Sequence, residues 1–263
     1  MALILPPIPA LSHCVHSVWA SEPRASARER VLPTGGMHLA VRLQGGPVRL
    51  FASEADGVGE RIGEAVVAGA RDACYIKDMS VPARSVGVQL LPGAAAALFG
   101  VSAAALSGRH VSLHQLWGSD ADRLLQRLHE APDTRAQLAV LQSSLLGRLR
   151  PMRAMHPAVA QALAPGPSAR FDAPGISQRH FIACFRDATG LTPKRYARLQ
   201  RFQRLLRGLA SAPARPWAEL ALAAGYSDQS HCIREFREFA GVAPQAYRKA
   251  VAGTGAEAPP REG

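Results

Sequence analysis

Gln229, Ser230 and Arg234, with Ile233 among them, occupy one side of a helical stretch from Asp228 to Phe239. Their types suit the reading of a surface of hydrogen-bond donors and acceptors. A glutamine amide matches the edge of adenine, a guanidinium matches the paired acceptors of guanine or a phosphate, and a hydroxyl serves either. Cys232 and Phe236 take the opposite, core-facing side. A surface helix with no such task shows much the same pattern, so the reading depends on what surrounds it.

What surrounds it is a duplication. Shifted by 51 positions, Ser177–Tyr196 falls into register with Asp228–Tyr247, and eight of the 20 paired positions are identical. The pairs are Gln178/Gln229, His180/His231, Ile182/Ile233, Phe185/Phe236, Arg186/Arg237, Gly190/Gly241, Pro193/Pro244 and Tyr196/Tyr247. A fixed offset of this kind marks two copies of one supersecondary unit. Each copy has its own start and stop. Ser177 and Asp228 are N-cap types, Gly190 and Gly241 suit a left-handed exit, and Pro193 and Pro244 suit the first position of a following helix. Between the copies, the sequence predicts a helix from Thr192-Pro193 to about Gly208. Its apolar side is Tyr196, Leu199, Phe202, Leu206 and Leu209, and its other sides carry Lys194, Arg195, Arg198, Arg201, Arg204 and Arg207. About 16 residues give a rod of about 24 Å, of the right order to hold two helices in successive major grooves about 34 Å apart. Arg195, Arg198 and Arg201 are candidates for phosphate contacts, which position a protein without reading sequence. Ahead of the second copy, Trp217–Ala224 forms a helix and Gly225-Tyr226-Ser227 a tight turn, which completes a helix-turn-helix.

The charge distribution agrees. The chain has 31 Lys and Arg against 20 Asp and Glu; residues 1–150 hold a net of only +3, whereas residues 177–249 hold +8 of the total +11. A module that meets a polyanion carries this footprint. Cys14, Cys74, Cys184 and Cys232 form no CxxC pair, which favours a reducing cytoplasm over a disulfide framework. The N-terminal MALILPPIPALSHC lacks a basic leader and has prolines in its apolar run, so it does not read as a signal peptide. No apolar stretch has the length of a membrane span.

Other constellations are weaker. His13-Cys14-x-His16 has soft ligands close together but no second cluster, so a strand near the N-terminus is the better reading. Gly57-x-Gly59-x-x-x-Gly63 imitates a dinucleotide loop without a βαβ frame. No nucleophile elbow or carboxylate pair stands out. The chain is not expected to be an enzyme, and neither a catalytic residue, a cofactor nor a bound metal is predicted.

The first 117 residues alternate short apolar runs with Gly and Pro turns. Strands are predicted over Cys14–Ala20, around Val31-Leu32, over His38–Leu43 and Val48–Phe51, at Val66-Val67, over Cys74–Ile76 and over Val86–Leu91. They imply a β-rich barrel or sandwich. Ala94–Phe99 reads as a short helix. Two amphipathic helices follow, with Ser119 and Thr134 as predicted caps and Leu138, Leu141, Leu145 and Leu149 as a stripe, either covering the core or pairing with a second subunit. His156–Ala164 can be helical, but Pro165–Gly175 holds three prolines and two glycines and cannot form an uninterrupted helix. The expected fold class is α+β: residues 1–150 a β-rich regulatory domain for sensing or dimerisation, residues 151–250 an all-α tandem helix-turn-helix domain, and residues 251–263 a disordered tail.

The segment LALAAGYSDQSHCIREFREFAGVAPQAYR resembles the C-terminal domain of AraC/XylS-type transcriptional regulators: helix, Gly-aromatic turn, second helix, then Phe239, Gly241, Pro244, Tyr247 and Arg248. The resemblance covers roughly residues 155–250 and is most specific over 216–248. It implies two helix-turn-helix units joined by a long helix and reading adjacent major grooves. The implied base-facing positions are Arg179, Ile182 and Ala183, beside Gln178, in the first unit, and Gln229, Ser230 and Arg234 in the second. Two departures stand out. ARFDAPG occupies the place of the first unit's leading helix, so either that helix is degenerate or His156–Ala164 substitutes for it. Ile182 and Ala183 are also poor hydrogen-bonding readers, which leaves most direct readout to the second unit. The N-terminal ERVLPTGGMHLAVRL, VGVQLLPGAAAALFGV and LHQLWG are similar to an uncharacterised domain found ahead of such regulators, which implies sensing or dimerisation there. The function implied is sequence-specific regulation of transcription on double-stranded DNA, with RNA polymerase, a small-molecule effector and a second copy of the chain as further candidate partners and no membrane. The alternative is a ligand-binding or protein-interaction module whose damaged first unit leaves only non-specific DNA binding.

Overall fold

A computed structural model of the protein describes residues 2–22, 28–164 and 175–254. The N-terminal strands are β1 (Ala2–Leu5), β2 (Val15–Ser21), β3 (Arg28–Val31), β4 (Met37–Arg42), β5 (Val48–Phe51), β6 (Glu60–Gly63), β7 (Ala65–Ala68), β8 (Tyr75–Asp78) and β9 (Ser85–Leu90). Helices α1 (Ala94–Phe99) and α2 (Ala103–Leu106) precede β10 (His110–Ser112), and α3 (Leu113–Trp117), α4 (Ser119–Glu130), α5 (Thr134–Arg148) and α6 (Pro157–Leu163) complete this part. The rest is helical: α7 (Gln178–Thr189), α8 (Pro193–Ser211), α9 (Trp217–Ala224), α10 (Gln229–Ala240) and α11 (Pro244–Thr254). The fold is α+β.

The strands form two antiparallel sheets with free ends, not a closed barrel. Six strands run in the order β1-β2-β9-β4-β7-β10 and four in the order β3-β8-β5-β6. The six-stranded sheet has two chemically different faces, set by the two-residue period of a strand. On one face Val18, Val88, Leu39, Val67 and Val111 make a cross-strand row, each 5% exposed or less. Helix α5 packs on β2 and β9 and buries Leu138, Leu141 and Leu145. Its stripe is therefore core, and only Leu149, at the C-cap, escapes burial. The opposite face carries Ser17, Gln89, His38, Ala68 and His110 in one row and Trp19, Gly87, Ala40, Val66 and Ser112 in the next.

Both predicted helix caps shift by one residue. Gly118, not Ser119, precedes α4 and makes no side-chain cap. Asp133, not Thr134, caps α5 by accepting from Ala136 N. Helix α8 runs three residues past Gly208, to Ser211, a rod of about 28 Å. Helix α11 extends to Thr254, four residues into the expected tail, while residues 255–263 and the Pro/Gly-rich 165–174 lie outside the described residues.

The chain divides into two compact units. The first comprises Met1–Val31, Gly36–Arg71 and Tyr75–Pro193; the second comprises Leu32–Gly35, Asp72–Cys74 and Lys194–Gly263. Helix α7 thus belongs to the first unit, where it packs against α2 and α6. The second unit has an aromatic core: Phe202 meets Phe236 and Phe239 at centroid distances of 5.4 and 5.2 Å, and Phe236 also meets Trp217 at 5.7 Å and Tyr247 at 5.5 Å.

Candidate nucleic-acid interface

Helix α9 ends at Gly225, whose φ of 93° belongs to the left-handed region that glycine enters freely. The next residue, Tyr226, is buried and donates its N–H to Ala221 O at 3.0 Å, which closes the turn. Asp228 then caps α10 by accepting from His231 N at 2.7 Å. That bond, together with others from Ser227 and Ser230, holds its carboxyl below the usual range. Cys232, Phe236, Phe239 and Ala240 are buried, and Gln229, Ser230, Arg234 and Arg237 are exposed along one side with Ile233 half-buried among them. The turn therefore presents a polar, cationic helix face to solvent.

The first unit repeats the second helix. Ser177 caps α7 by accepting from His180 N at 3.3 Å, and Phe181 and Phe185 are buried. Gln178, Arg179, Ala183 and Arg186 are exposed and Ile182 is half-buried. Gly190 ends the helix at φ 84°, where an added Cβ would lie 3.1 Å from both Ala103 O and the Ala70 Cβ. Helix α6 stands beside α7, with the His156 and His180 rings 6.2 Å apart. It neighbours α7 as α9 neighbours α10, although 14 residues separate α6 from α7 where only Gly225–Asp228 separate α9 from α10.

Residues 172–250 match the family described as Helix-turn-helix domain, and residues 4–112 match a Domain of unknown function (DUF6597). Residues 172–250 are an AraC-type helix-turn-helix domain. No curated relative matches the chain. Among solved structures, ToxT from Vibrio cholerae is similar, with a TM-score of 0.44 and 10% identity over 88% of this chain and 98% of that chain. Wild-type ToxT with a bound unsaturated fatty acid gives a TM-score of 0.43 and 12% identity over 90% and 96%.

Three arginines of α8, Arg195, Arg198 and Arg201, are engaged by acids of the fold. Glu235, only 3% exposed, accepts from Arg198 Nε at 2.6 Å and from Arg201 at 3.1 Å, and His231 Nε2 lies 3.4 Å away. Arg198 also pairs with Glu238, a bond that raises its already high pKa. Burial opposes ionisation of Glu235, but the hydrogen bond from Arg198 and the charge of Arg201 outweigh it, so its carboxyl lies below the usual range. Arg198 and Arg201, expected as phosphate contacts, thus also tie α8 to α10. Arg195 is more exposed and pairs with Asp72. Arg204 donates to Ala224 O at 3.1 Å, at the end of α9.

Glu235 carried no signal in the sequence reading, because its partners lie 34 and 37 positions away. Arg186 and Arg237 did carry one, since they are identical at the 51-residue offset, and Arg237 continues the face of Gln229 and Arg234. The other constellations dissolve. Cys14 is buried and donates its thiol to Leu11 O at 3.4 Å, while His13 and His16 are exposed. No group of three metal-ligating side chains gathers among the described residues. In the glycine segment, Asp56 accepts from the N–H groups of Ala52, Val58 and Gly59 at 3.0 Å, which makes it an Asp-centred turn between β5 and β6. Among the described residues no helix is long and apolar enough to cross a membrane.

Proposed function

We propose that the protein regulates transcription by binding a specific double-stranded DNA site, with α10 as the principal reading helix and the N-terminal unit as its control. The observation that carries this reading is the exposed row Gln229, Ser230, Arg234 and Arg237 on a helix fixed at its start by Asp228 and along its back by Glu235. Gln229 and Arg234 supply the adenine- and guanine-matching groups, and Ser230 supports them. In the first unit, Gln178 and Arg179 are the polar contacts, while Ile182 and Ala183 offer only apolar surface to a thymine methyl. Among the α8 candidates, Arg195 is the one placed to exchange its surface acid for a phosphate, and Arg198 and Arg201 act by holding α10. A regulator of this kind works in the cytoplasm, beside the DNA and the polymerase.

Selection of bound duplexes from a random pool tests the reading. The wild-type chain should enrich one motif, and Arg234→Ala should lose about 1–3 kcal/mol of discrimination at one base position of it. Undiminished selectivity in Arg234→Ala would refute the role of α10. A second reading, non-specific binding alone, is favoured by one observation: α7, the first reading helix, is built into the N-terminal unit. Equal affinity for the selected and a scrambled duplex across a salt titration would support it.

A further inference from the structure

The face of the six-stranded sheet turned away from α5 is unusually polar for a half-buried surface. His38 on β4 and His110 on β10 both stand opposite Ala68 of β7, one on each side. Gln89 and Ser17 extend the same row. In the next row Trp19 lies over Gly87; a Cβ at that position would fall 2.2 Å from the Trp19 ring, so glycine leaves the indole room to lie on the floor of the sheet. Arg42 joins from the following row. From the other sheet, β8 sends Tyr75 and Lys77 from one side of its strand. The Tyr75 ring meets that of His110 edge-on at a centroid distance of 4.5 Å, and the charge of Lys77 acts on both histidines.

The charges here do not balance. Arg71 donates to His110 Nδ1 at 3.3 Å and to Gly108 O at 2.6 Å. Because a guanidinium can only donate, Nδ1 must accept, and the ring proton of neutral His110 sits on Nε2. That Nε2–H is buried and has no hydrogen-bond partner, and the Nε atoms of Arg42 and Arg71 are in the same condition. A buried donor left unpaired is costly. Against Lys77, Arg42 and Arg71 stand two acids: Glu29, exposed and directly opposite Lys77 on β3, and Asp78, whose carboxylate is taken up by Ser80. Burial and the surrounding cations drive His110 down to about 3 and His38 down to about 4, so both imidazoles stay neutral donors in a positive surrounding.

We propose that this sheet face, with Tyr75 and Lys77 opposite, binds a small aromatic carboxylate. Its carboxylate pairs with Lys77 and takes the free Nε2–H of His110, and its ring lies against Trp19 and Tyr75. The unsatisfied donors and excess cations call for an anion. The two planar side chains in a site floored by Gly87 and Ala68 call for a flat body. This deepens the proposed control by the N-terminal unit and rests on that reading only for its consequence on DNA, not for the binding itself.

Calorimetric titration of the full chain, without DNA, tests the site with benzoate and 2-naphthoate as probes and benzamide, hexanoate and inorganic phosphate as controls. Benzoate or naphthoate should bind, with quenching or a shift of tryptophan emission, and each control should bind at least tenfold more weakly. Lys77→Gln should weaken binding about tenfold, the worth of one charge-assisted hydrogen bond. Arg71→Gln serves as a second variant should Lys77→Gln fold poorly by circular dichroism. Failure of both aromatic acids to bind, equal binding of benzamide or hexanoate, preference for phosphate, or full affinity in both variants would each overturn the proposal. Binding that left DNA affinity unmoved would uphold the site and count against control of DNA by this unit.

Discussion

Replacing Glu235 by Gln tests whether α10 is held from behind. The carboxylate is buried and accepts from two guanidiniums, at 2.6 and 3.1 Å. Removing one member of a buried ion pair costs about 3–5 kcal/mol. Three features reduce that here. The glutamine carbonyl still accepts one bond, Arg198 keeps Glu238, and Arg198 and Arg201 are 24% and 27% exposed, so water reaches them. A loss of about 2 kcal/mol remains. For a unit of this size that corresponds to a drop of about 8–16 °C in its melting temperature. The assay is near-UV circular dichroism on wild type, Glu235→Gln, Arg198→Gln and the double variant. The double variant should be less destabilised than the sum of the singles, since one interaction cannot be lost twice. The wild-type contribution should be full above the ordinary carboxylate pKa of 4.5 and disappear as pH falls through the depressed value in the folded state. A change below about 0.5 kcal/mol in Glu235→Gln, or strictly additive singles, would refute the brace.

Two further expectations follow from the same geometry. Arg198→Gln should leave the slope of log affinity against log salt unchanged, whereas a phosphate contact at Arg198 would reduce it by about 0.9; filter binding between 50 and 200 mM salt distinguishes them. His38 and His110 have folded pKa values of about 4 and about 3 against 6.5 when unfolded, so the unfolded chain takes up protons first as pH falls. Stability should be flat above pH 7 and decline below 6.5, by about 2 kcal/mol at pH 4.5 after discounting for solvent reach. A His38→Gln/His110→Gln variant should lose that slope in urea titrations, and an unchanged slope would place the effect elsewhere.

The helix-turn-helix was legible because its signals are local. Ser177, Asp228, Gly190 and Gly241 set caps through neighbours within four residues, and the duplication displayed them twice. The strand cores around Val41, Val48 and Val88 were legible for the same reason. Strands β1, β6 and β10 were not: Ala2–Leu5 is uniformly apolar, Glu60–Gly63 is polar, and His110–Ser112 has only three residues, so each is a strand because a partner pairs it. Ser119 and Thr134 were misplaced as caps because residues of cap type stand beside the true positions. The Glu235 brace and the polar sheet face could not be read in advance, since both are made by side chains from distant segments. Alternation marked Leu39 and Val41 as buried but gave no sign that His38, on the other side of the strand, is buried within reach of the Lys77 charge.

The seating of α7 has a thermodynamic consequence. Gly93 N donates to Ala188 O at 2.8 Å, and Gly190 sits close against Ala103 of α2, where a methyl group would be crowded at 3.1 Å. Helix α7 is thus part of the same folded body as the polar sheet face. If α7 meets DNA as proposed, a ligand that favours one arrangement of that body would alter the free energy of that contact. Linkage makes the coupling run equally in reverse. An operator that engages α7 would itself act as an effector, changing the affinity of the sheet face for its ligand by the same factor. Promoters that differ only in their first half-site would then set different ligand thresholds on one and the same protein.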